Sequence, residues 1–182
     1  SGWAVLWIGV IGVLAGVGYT APPMKYKYMG LGELSVFLMW GPLMVEGAYY
    51  VQRHSLSLEA LLVSIPFGTL VALVLFANNI RDIRHDNSQH IRTIAMALGP
   101  KLGIHVYLLL MVLAYAVTLV LTLTGVLTPW GLLVFFSLPV ATKLLRQMET
   151  CIPSDADART AQLDTAFGLL LVAGLIIQGI IG

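Results

Sequence analysis

Three oxygen-bearing side chains, Asn78, Asp82 and Asp86, recur at every fourth position directly after an apolar run. If this segment is helical, the three lie on one face, with neighbouring Cβ atoms roughly 6 Å apart. Two carboxylates so close favour a shared cation, and Mg²⁺ typically binds one or two carboxylates together with the oxygens of a substrate phosphate. The spacing is equally typical of a solvated helix face. The position at the mouth of an apolar segment favours function, so we interpret the stretch as half of a metal-diphosphate site.

The composition indicates an integral membrane protein. Hydrophobic residues make up 58% of the 182 residues and charged residues only 10%, whereas soluble domains carry about 25% charged residues. The net charge of +1 gives no reason to expect nucleic acid as a partner. The single cysteine, Cys151, excludes a disulfide within the chain. The four histidines show no ligand spacing that would favour zinc or haem.

Apolar runs of the length needed to cross a bilayer, about 20 residues, predict an all-α fold with six transmembrane helices. The predicted spans cover residues 3–19, 34–51, 60–77, 102–123, 131–145 with its flanks, and 163–181. We expect residues 1–182 to form a single transmembrane helical domain. A short amphipathic helix over about residues 91–98 is predicted to lie at the membrane interface.

The basic residues predict the orientation in the membrane. Nine of the ten Lys and Arg residues fall in the segments after the first, third and fifth spans, and only Arg53 falls on the other side. The positive-inside rule places the nine in the cytoplasm. We therefore predict a multi-pass protein of the cell (inner) membrane whose site faces the cytoplasm. The first helix then begins outside, which leads us to expect a chain truncated at its N-terminus.

The first predicted cytoplasmic segment, residues 19–33, offers point charges suited to phosphate. Its prolines and glycines are incompatible with a continuous helix. Lys25 and Lys27 suit phosphate binding, or equally an ordinary juxtamembrane loop that contacts lipid head groups.

The chain resembles the UbiA superfamily of intramembrane prenyltransferases, and within it the 1,4-dihydroxy-2-naphthoate polyprenyltransferases of menaquinone synthesis. The segments that carry the resemblance are Asn78-Asn79-Ile80-Arg81-Asp82 with Asp86, Thr93-Ile94-Ala95, Leu98-Gly99, Gly30-Leu31-Gly32-Glu33, Gly41-Pro42-Leu43-Met44-Val45 and Thr160-Ala161-Gln162-Leu163. Family members usually have Gly-Lys where this chain has His90-Ile91. A basic phosphate contact is then lost or passed to Arg92.

The resemblance implies a bundle of about nine helices, of which the six spans are the last six. The missing part would hold about three helices and the family's first aspartate motif. The implied reaction transfers a polyprenyl group from its diphosphate to an aromatic acceptor with Mg²⁺ as cofactor. In this reading Asp82, Asp86 and Asn78 bind the metal, and Tyr19 borders the allylic cation. The diphosphate-binding residues would be Lys25, Lys27, Arg81, Arg92, Asn78 and Asn79.

Two alternatives remain open at this point. The first is a different acceptor ring, of a 4-hydroxybenzoate, homogentisate or chlorophyllide type. The second alternative is a protein of another class, in which the chain is a fragment of a non-catalytic membrane transporter. Because half of the implied metal site is absent, the 182-residue chain is expected to be inactive by itself.

Overall fold

The structure is a computed structural model, and it describes residues 2–83, 85 and 92–181. The chain folds into antiparallel helical rods. The described residues form six rods, and these confirm the predicted all-α membrane architecture. In chain order the elements are α1 (Gly2–Thr20), α2 (Gly32–Leu38), a π-helix (Met39–Leu43), α3 (Met44–Arg53), α4 (Leu58–Arg81), α5 (Ile94–Leu123), a 3₁₀-helix (Pro129–Ser137), α6 (Leu138–Thr150) and α7 (Ala156–Ile181).

Four rods are long and apolar enough to cross a membrane. They are the second rod, which joins α2 to α3 over Gly32–Arg53, together with α4, α5 and α7. The apolar part of α1, Val5–Thr20, is shorter. The fifth rod begins as a 3₁₀-helix with a proline in its first turn and continues as α6.

The second rod widens into a π-helix around Pro42. Proline has no N–H to donate to the preceding turn, and a π-bulge is a common way for a helix to absorb such an interruption. In the same stretch Gly41 meets Gly68 of α4, and a Cβ at Gly68 would lie 2.9 Å from the Gly41 Cα. The two backbones are therefore packed directly against each other, as small residues permit in membranes.

α5 starts at Ile94 and not at the predicted residue 102. Thr93 caps it, since the Thr93 hydroxyl accepts a hydrogen bond from the Met96 N–H at 3.2 Å. Gly99 interrupts the helix with φ 71° and ψ 168°, because the following Pro100 disfavours the α conformation at this position and glycine tolerates positive φ. The short helical segment before the kink, residues 94–98, falls within the predicted helix over about residues 91–98; its location at the membrane interface stays a prediction.

The core lies around α4, whose inward face is almost completely buried at Leu70, Leu73 and Phe76. α5 and α7 pack beside it and are joined by a buried hydrogen bond of 2.9 Å between the hydroxyls of Tyr107 and Thr160. Many large apolar side chains on the outside of the bundle are exposed. Such a surface suits lipid, in which apolar side chains are at no disadvantage.

Long-range contacts assign the loops to two opposite ends of the bundle. At one end the start of α2 meets the end of α4 through Glu33 and Asn79. The end of α4 also meets the start of α7 through Arg81 and Asp157. At the other end Thr128 contacts Gln178, near the end of α7. The predicted site residues at the end of α4, Asn78, Asn79, Arg81 and Asp82, therefore lie at the first of these ends, called here the polar end.

Candidate functional site

Arg81, the last residue of α4, is the centre of the hydrogen-bond network at the polar end. Its Nε and Nη2 donate to the two carboxylate oxygens of Asp82 at 2.8 and 2.9 Å. Nη2 also donates to the Asn78 Oδ1. Nη1 donates to the Ser154 carbonyl oxygen at 3.2 Å and to the Asp157 carboxylate. One guanidinium thus joins the end of α4 to the segment that begins α7.

Asp82 lies just past α4 as its C-terminal cap residue, with 31% of its side chain exposed. The hydrogen bonds from Arg81 hold the pKa of Asp82 below its usual range, against the opposing effect of burial; the charges of Arg81 and His85 act in the same direction. Favouring the charged form in this way leaves Asp82 a carboxylate at neutral pH. It is accessible and negatively charged.

The donor set around Asp82 suits a hard divalent cation. Carboxylate and amide oxygens of Asp82 and Asn78 converge on one positive charge, and oxygens are the ligands that Mg²⁺ takes. In the part of the chain that the structure describes, no three His, Cys, Asp or Glu side chains form a metal-binding cluster. The second predicted carboxylate, Asp86, lies outside the described residues, as do Arg84, His90 and Ile91.

Asn79 faces away from Arg81 and is bound to Glu33. The Asn79 Nδ2 donates to the Glu33 Oε1 at 2.8 Å, and both side chains are buried, with exposed fractions of 6% and 8%. Glu33 stands in the first turn of α2. The pair fixes the spacing between the second rod and the end of α4 because a buried polar group without a partner is costly.

The loop between α1 and α2 carries two of the predicted site residues, Lys25 and Lys27, and its backbone contacts the segment before α5. Met29 and Arg92 form an isolated parallel β-bridge. Lys25 is exposed and adopts left-handed backbone angles, φ 44° and ψ 37°. The Lys27 ammonium lies 5.7 Å from the centre of the Tyr19 ring. This arrangement brings Arg92 beside the lysine-bearing loop.

An apolar cavity of about 380 Å³ opens beside Glu33. It lies between α2, α4 and α5, and its lining includes Phe37, Ile65, Phe76 and Leu110. Along α4 the lining runs from Phe76 to Ile65, which is about 16 Å at 1.5 Å per residue. Among the described residues that line it, Glu33 alone is charged. The cavity therefore has the length and character expected for a hydrocarbon chain.

A second cavity of about 410 Å³ lies between α1 and the second rod and is lined by Tyr19, Tyr26, Trp40 and Met39, among others. The rings of Tyr19 and Tyr26 meet edge to face at 5.6 Å. Tyr19 therefore has an aromatic neighbour in Tyr26 and a cationic neighbour in Lys27.

The predicted residues fall into two groups in the structure. Asn78, Arg81 and Asp82 are in direct contact, whereas Asn79 is turned to Glu33. A further set lies in or beside the first loop: Tyr19, Lys25, Lys27 and Arg92. The roles assigned to all of them, and to Asp86, stay predictions.

Sequence reasoning overlooked three acidic residues. Glu33 and Asp157 contact predicted site residues, yet 46 and 76 positions separate them from their partners. Asp164 lies within α7, and one of its carboxylate oxygens is buried without a hydrogen-bond partner among the described residues. An acidic residue inside an apolar helix is the signal that would have marked Asp164, and the same signal marks Glu33 at the start of an apolar run.

Comparison with known proteins supplies an independent line of evidence. The model of the UbiA prenyltransferase family matches residues 1–176. The chain is 32% identical to a 1,4-dihydroxy-2-naphthoate octaprenyltransferase of Bacillus subtilis (strain 168), over 98% of this chain and 58% of that protein.

Two further relatives match over shorter stretches. A 2-carboxy-1,4-naphthoquinone phytyltransferase of Synechocystis is 35% identical over 80% of this chain and 48% of that protein. A 1,4-dihydroxy-2-naphthoate octaprenyltransferase of Haemophilus influenzae is 39% identical over 56% of this chain and 33% of that protein. The chain thus spans little more than half the length of the Bacillus relative.

Proposed function

This chain belongs to the UbiA prenyltransferase family, and on that premise we propose that the protein of which it is part transfers a polyprenyl group to 1,4-dihydroxy-2-naphthoate. The names of the Bacillus and Haemophilus relatives support this acceptor. The substrates are then a polyprenyl diphosphate and the naphthoate, and the reaction is a step of menaquinone synthesis.

One observation carries the proposal: a charged site adjoins a long apolar cavity. Asn79 is bound to Glu33, which lines the cavity, and the adjacent Asn78 is bound to Arg81 beside Asp82. A polyprenyl diphosphate has the same two-part chemistry. Its charged head fits the polar end, and its hydrocarbon tail fits between α2, α4 and α5.

The diphosphate is held by cationic and amide side chains. Lys25 and Lys27 of the first loop and Arg92 beside it supply positive charge, and preorganised charge of this kind stabilises negative charge as it develops on a leaving group. Asn78 and Asn79 orient the head group.

Asp82, with Asp86 and Asn78, would hold Mg²⁺ next to the diphosphate. Bound by these residues, Mg²⁺ would supply Lewis-acid stabilisation of the negative charge on the diphosphate. The carbon–oxygen bond of the prenyl diphosphate breaks with its electron pair on the diphosphate, and a carbon of the aromatic ring forms the new carbon–carbon bond. That ring carbon then loses the group it carried, a proton or a carboxyl group released as CO₂, which restores the aromatic ring. Tyr19 presents the face of its ring to the positive charge on the prenyl carbon.

We place the site at the cytoplasmic face of a multi-pass protein in the cell membrane. The distribution of basic residues supports this orientation, since nine of ten fall in the segments after the first, third and fifth predicted spans. The family's first aspartate motif has no counterpart in this sequence. Purified by itself, the 182-residue chain is therefore expected to give no turnover, which a radiolabel transfer assay checks.

The test of the proposed function is an assay of the full-length protein. Labelled polyprenyl diphosphates of several lengths are combined with 1,4-dihydroxy-2-naphthoate, 4-hydroxybenzoate or homogentisate, with Mg²⁺ or with a chelator. We expect Mg²⁺-dependent transfer to the naphthoate. Transfer to another ring only would refute the acceptor assignment, and no transfer to any ring would refute the enzymatic function.

A further inference from the structure

We propose that Arg81 is a positioning residue that fixes the metal-binding carboxylate of Asp82 to the start of α7 through Asp157. The inference rests on the proposed function, within which it replaces the expected role of Arg81 as a diphosphate contact. It makes Asp157, which lies 76 positions away in sequence, a determinant of how the site binds its cation.

The hydrogen bonds of Arg81 are all made within the described part of the protein. A guanidinium has five N–H donors and no acceptor. Arg81 makes five hydrogen bonds: two to Asp82 and one each to Asn78, Ser154 and Asp157. Every donor is thus matched by an acceptor of the protein itself. A phosphate oxygen would have to displace one of them.

The geometry at Asp82 is the second argument. Arg81 engages both carboxylate oxygens in a two-point contact, which fixes the plane of the carboxylate and is the most specific form of such a pair. Each carboxylate oxygen has a further lone pair. Asp82 is therefore oriented by Arg81 and still able to bind a cation.

The distribution of the acceptors is the third argument. Asn78 and Asp82 belong to the end of α4, whereas Ser154 and Asp157 belong to the start of α7. Asp157 and Arg81 are both partly exposed, at 36% and 25%, and ion pairs with such exposure contribute little to stability. The arrangement accordingly serves to orient Asp82 more than to hold the helices together.

The experiment uses the full-length protein with the variants Arg81→Lys and Asp157→Ala. Asp155→Ala is the matched control: Asp155 lies two residues before Asp157, and its ion-pair partner among the described residues is the exposed Arg159. Two quantities are measured for each protein. One is the dissociation constant of Mn²⁺, titrated by electron paramagnetic resonance in the presence of inorganic diphosphate. The other is the KM for the prenyl diphosphate at saturating Mg²⁺.

We expect Arg81→Lys and Asp157→Ala each to weaken Mn²⁺ binding by about 10–100-fold, the usual effect of losing a residue that orients a metal ligand. The KM should change by less than about twofold under the same principle, because no phosphate contact is removed. Asp155→Ala should match the wild type in both. If Arg81→Lys does not fold, Asp157→Ala carries the test.

Two results would overturn the inference. Equal Mn²⁺ affinity in Asp157→Ala and Asp155→Ala would show that the link to α7 does not orient Asp82. A raised KM with unchanged Mn²⁺ affinity in Arg81→Lys would identify Arg81 as a phosphate contact. Failure of the proposed function is distinct, because a wild-type protein without transferase activity still gives a Mn²⁺ titration.

Discussion

Asp82 combines two requirements that conflict in most membrane proteins. It lies at the end of a largely buried helix, where burial favours the neutral acid, yet Arg81 keeps its pKa below the usual range. Hydrogen bonds to the charged form oppose the effect of burial in this way. The charge that suits a cation is thus maintained by the protein itself.

The charge of Asp82 is tested by Asp82→Asn in the full-length protein, which keeps the size of the side chain. We expect kcat to fall by about 10²–10³, or roughly 3–4 kcal/mol of transition-state stabilisation, with a higher Mg²⁺ requirement. Initial rates over a Mg²⁺ series provide the measurement. Glu46→Gln is the control, because Glu46 accepts a hydrogen bond from the Ser57 N–H and glutamine retains that acceptor. Wild-type rates for Asp82→Asn, with activity lost in Glu46→Gln, would move the site to the opposite end.

Two substitutions of Glu33 in the Glu33–Asn79 pair distinguish the loss of a hydrogen-bond acceptor from the loss of a charge. Glu33→Gln keeps an oxygen that accepts from Asn79, whereas Glu33→Ala leaves a buried amide without its partner. We expect Glu33→Ala to lower the free energy of unfolding by about 1–3 kcal/mol and Glu33→Gln to change it much less. Thermal unfolding of the two variants in detergent measures the difference. Equal losses in both would mean that the charge, and not the hydrogen bond, stabilises the contact.

The site was only partly predictable from the sequence, and the reason is sequence distance. The contact of Asn78 and Asp82 through Arg81 follows from helical spacing. The contacts of Arg81 with Asp157 and of Asn79 with Glu33 depend on how separate helices pack. No local pattern encodes that packing.

The lengths of the apolar runs predicted the helical rods. Proline and glycine residues account for the places where a rod departs from a regular α-helix. Three irregularities lie at proline or glycine residues. They are the π-helix around Pro42, the kink at Gly99 and the 3₁₀ start of the fifth rod at Pro129. Propensity places a break near such residues. Which kind of break forms depends on the neighbouring helix, as the contact of Gly41 with Gly68 illustrates.

The crossing of the second rod and α4 is tested by Gly68→Ala. The new Cβ would lie 2.9 Å from the Gly41 Cα and 3.1 Å from the Phe37 carbonyl oxygen, so the two backbones must separate. Overpacking of this kind costs about 1–3 kcal/mol, and the melting temperature should fall accordingly. Gly12→Ala is the matched control, since a Cβ there meets no described atom within 4 Å, and the better helix propensity of alanine should leave stability unchanged or raised by up to about 1 kcal/mol. Equal effects of the two changes would contradict the close approach.

At the scale of the whole molecule, charge and contacts agree on which loops lie together. The basic residues predicted that the loops after the first, third and fifth rods share one side. The contacts of Glu33, Asn79, Arg81 and Asp157 join those same segments. Positive charge alone predicts on which side of the membrane each loop lies. The packing of α5 and α7 around α4 could not be predicted, because nearly every face of these helices is apolar and the periodicity does not distinguish an inward side.

The sidedness is tested by labelling cysteines at residues 53, 85 and 151. α4 has 24 residues, about 36 Å at 1.5 Å per residue, which exceeds the roughly 30 Å hydrocarbon core. Arg53 precedes α4, His85 follows it, and the native Cys151 is exposed in the segment before α7. In intact cells that produce the full-length protein with one cysteine at a time, a membrane-impermeant maleimide should label Arg53→Cys only. His85→Cys and Cys151 should react only after the cells are opened. Labelling of all three cysteines from the same side would contradict both the crossing of the membrane by α4 and the cytoplasmic location of the site.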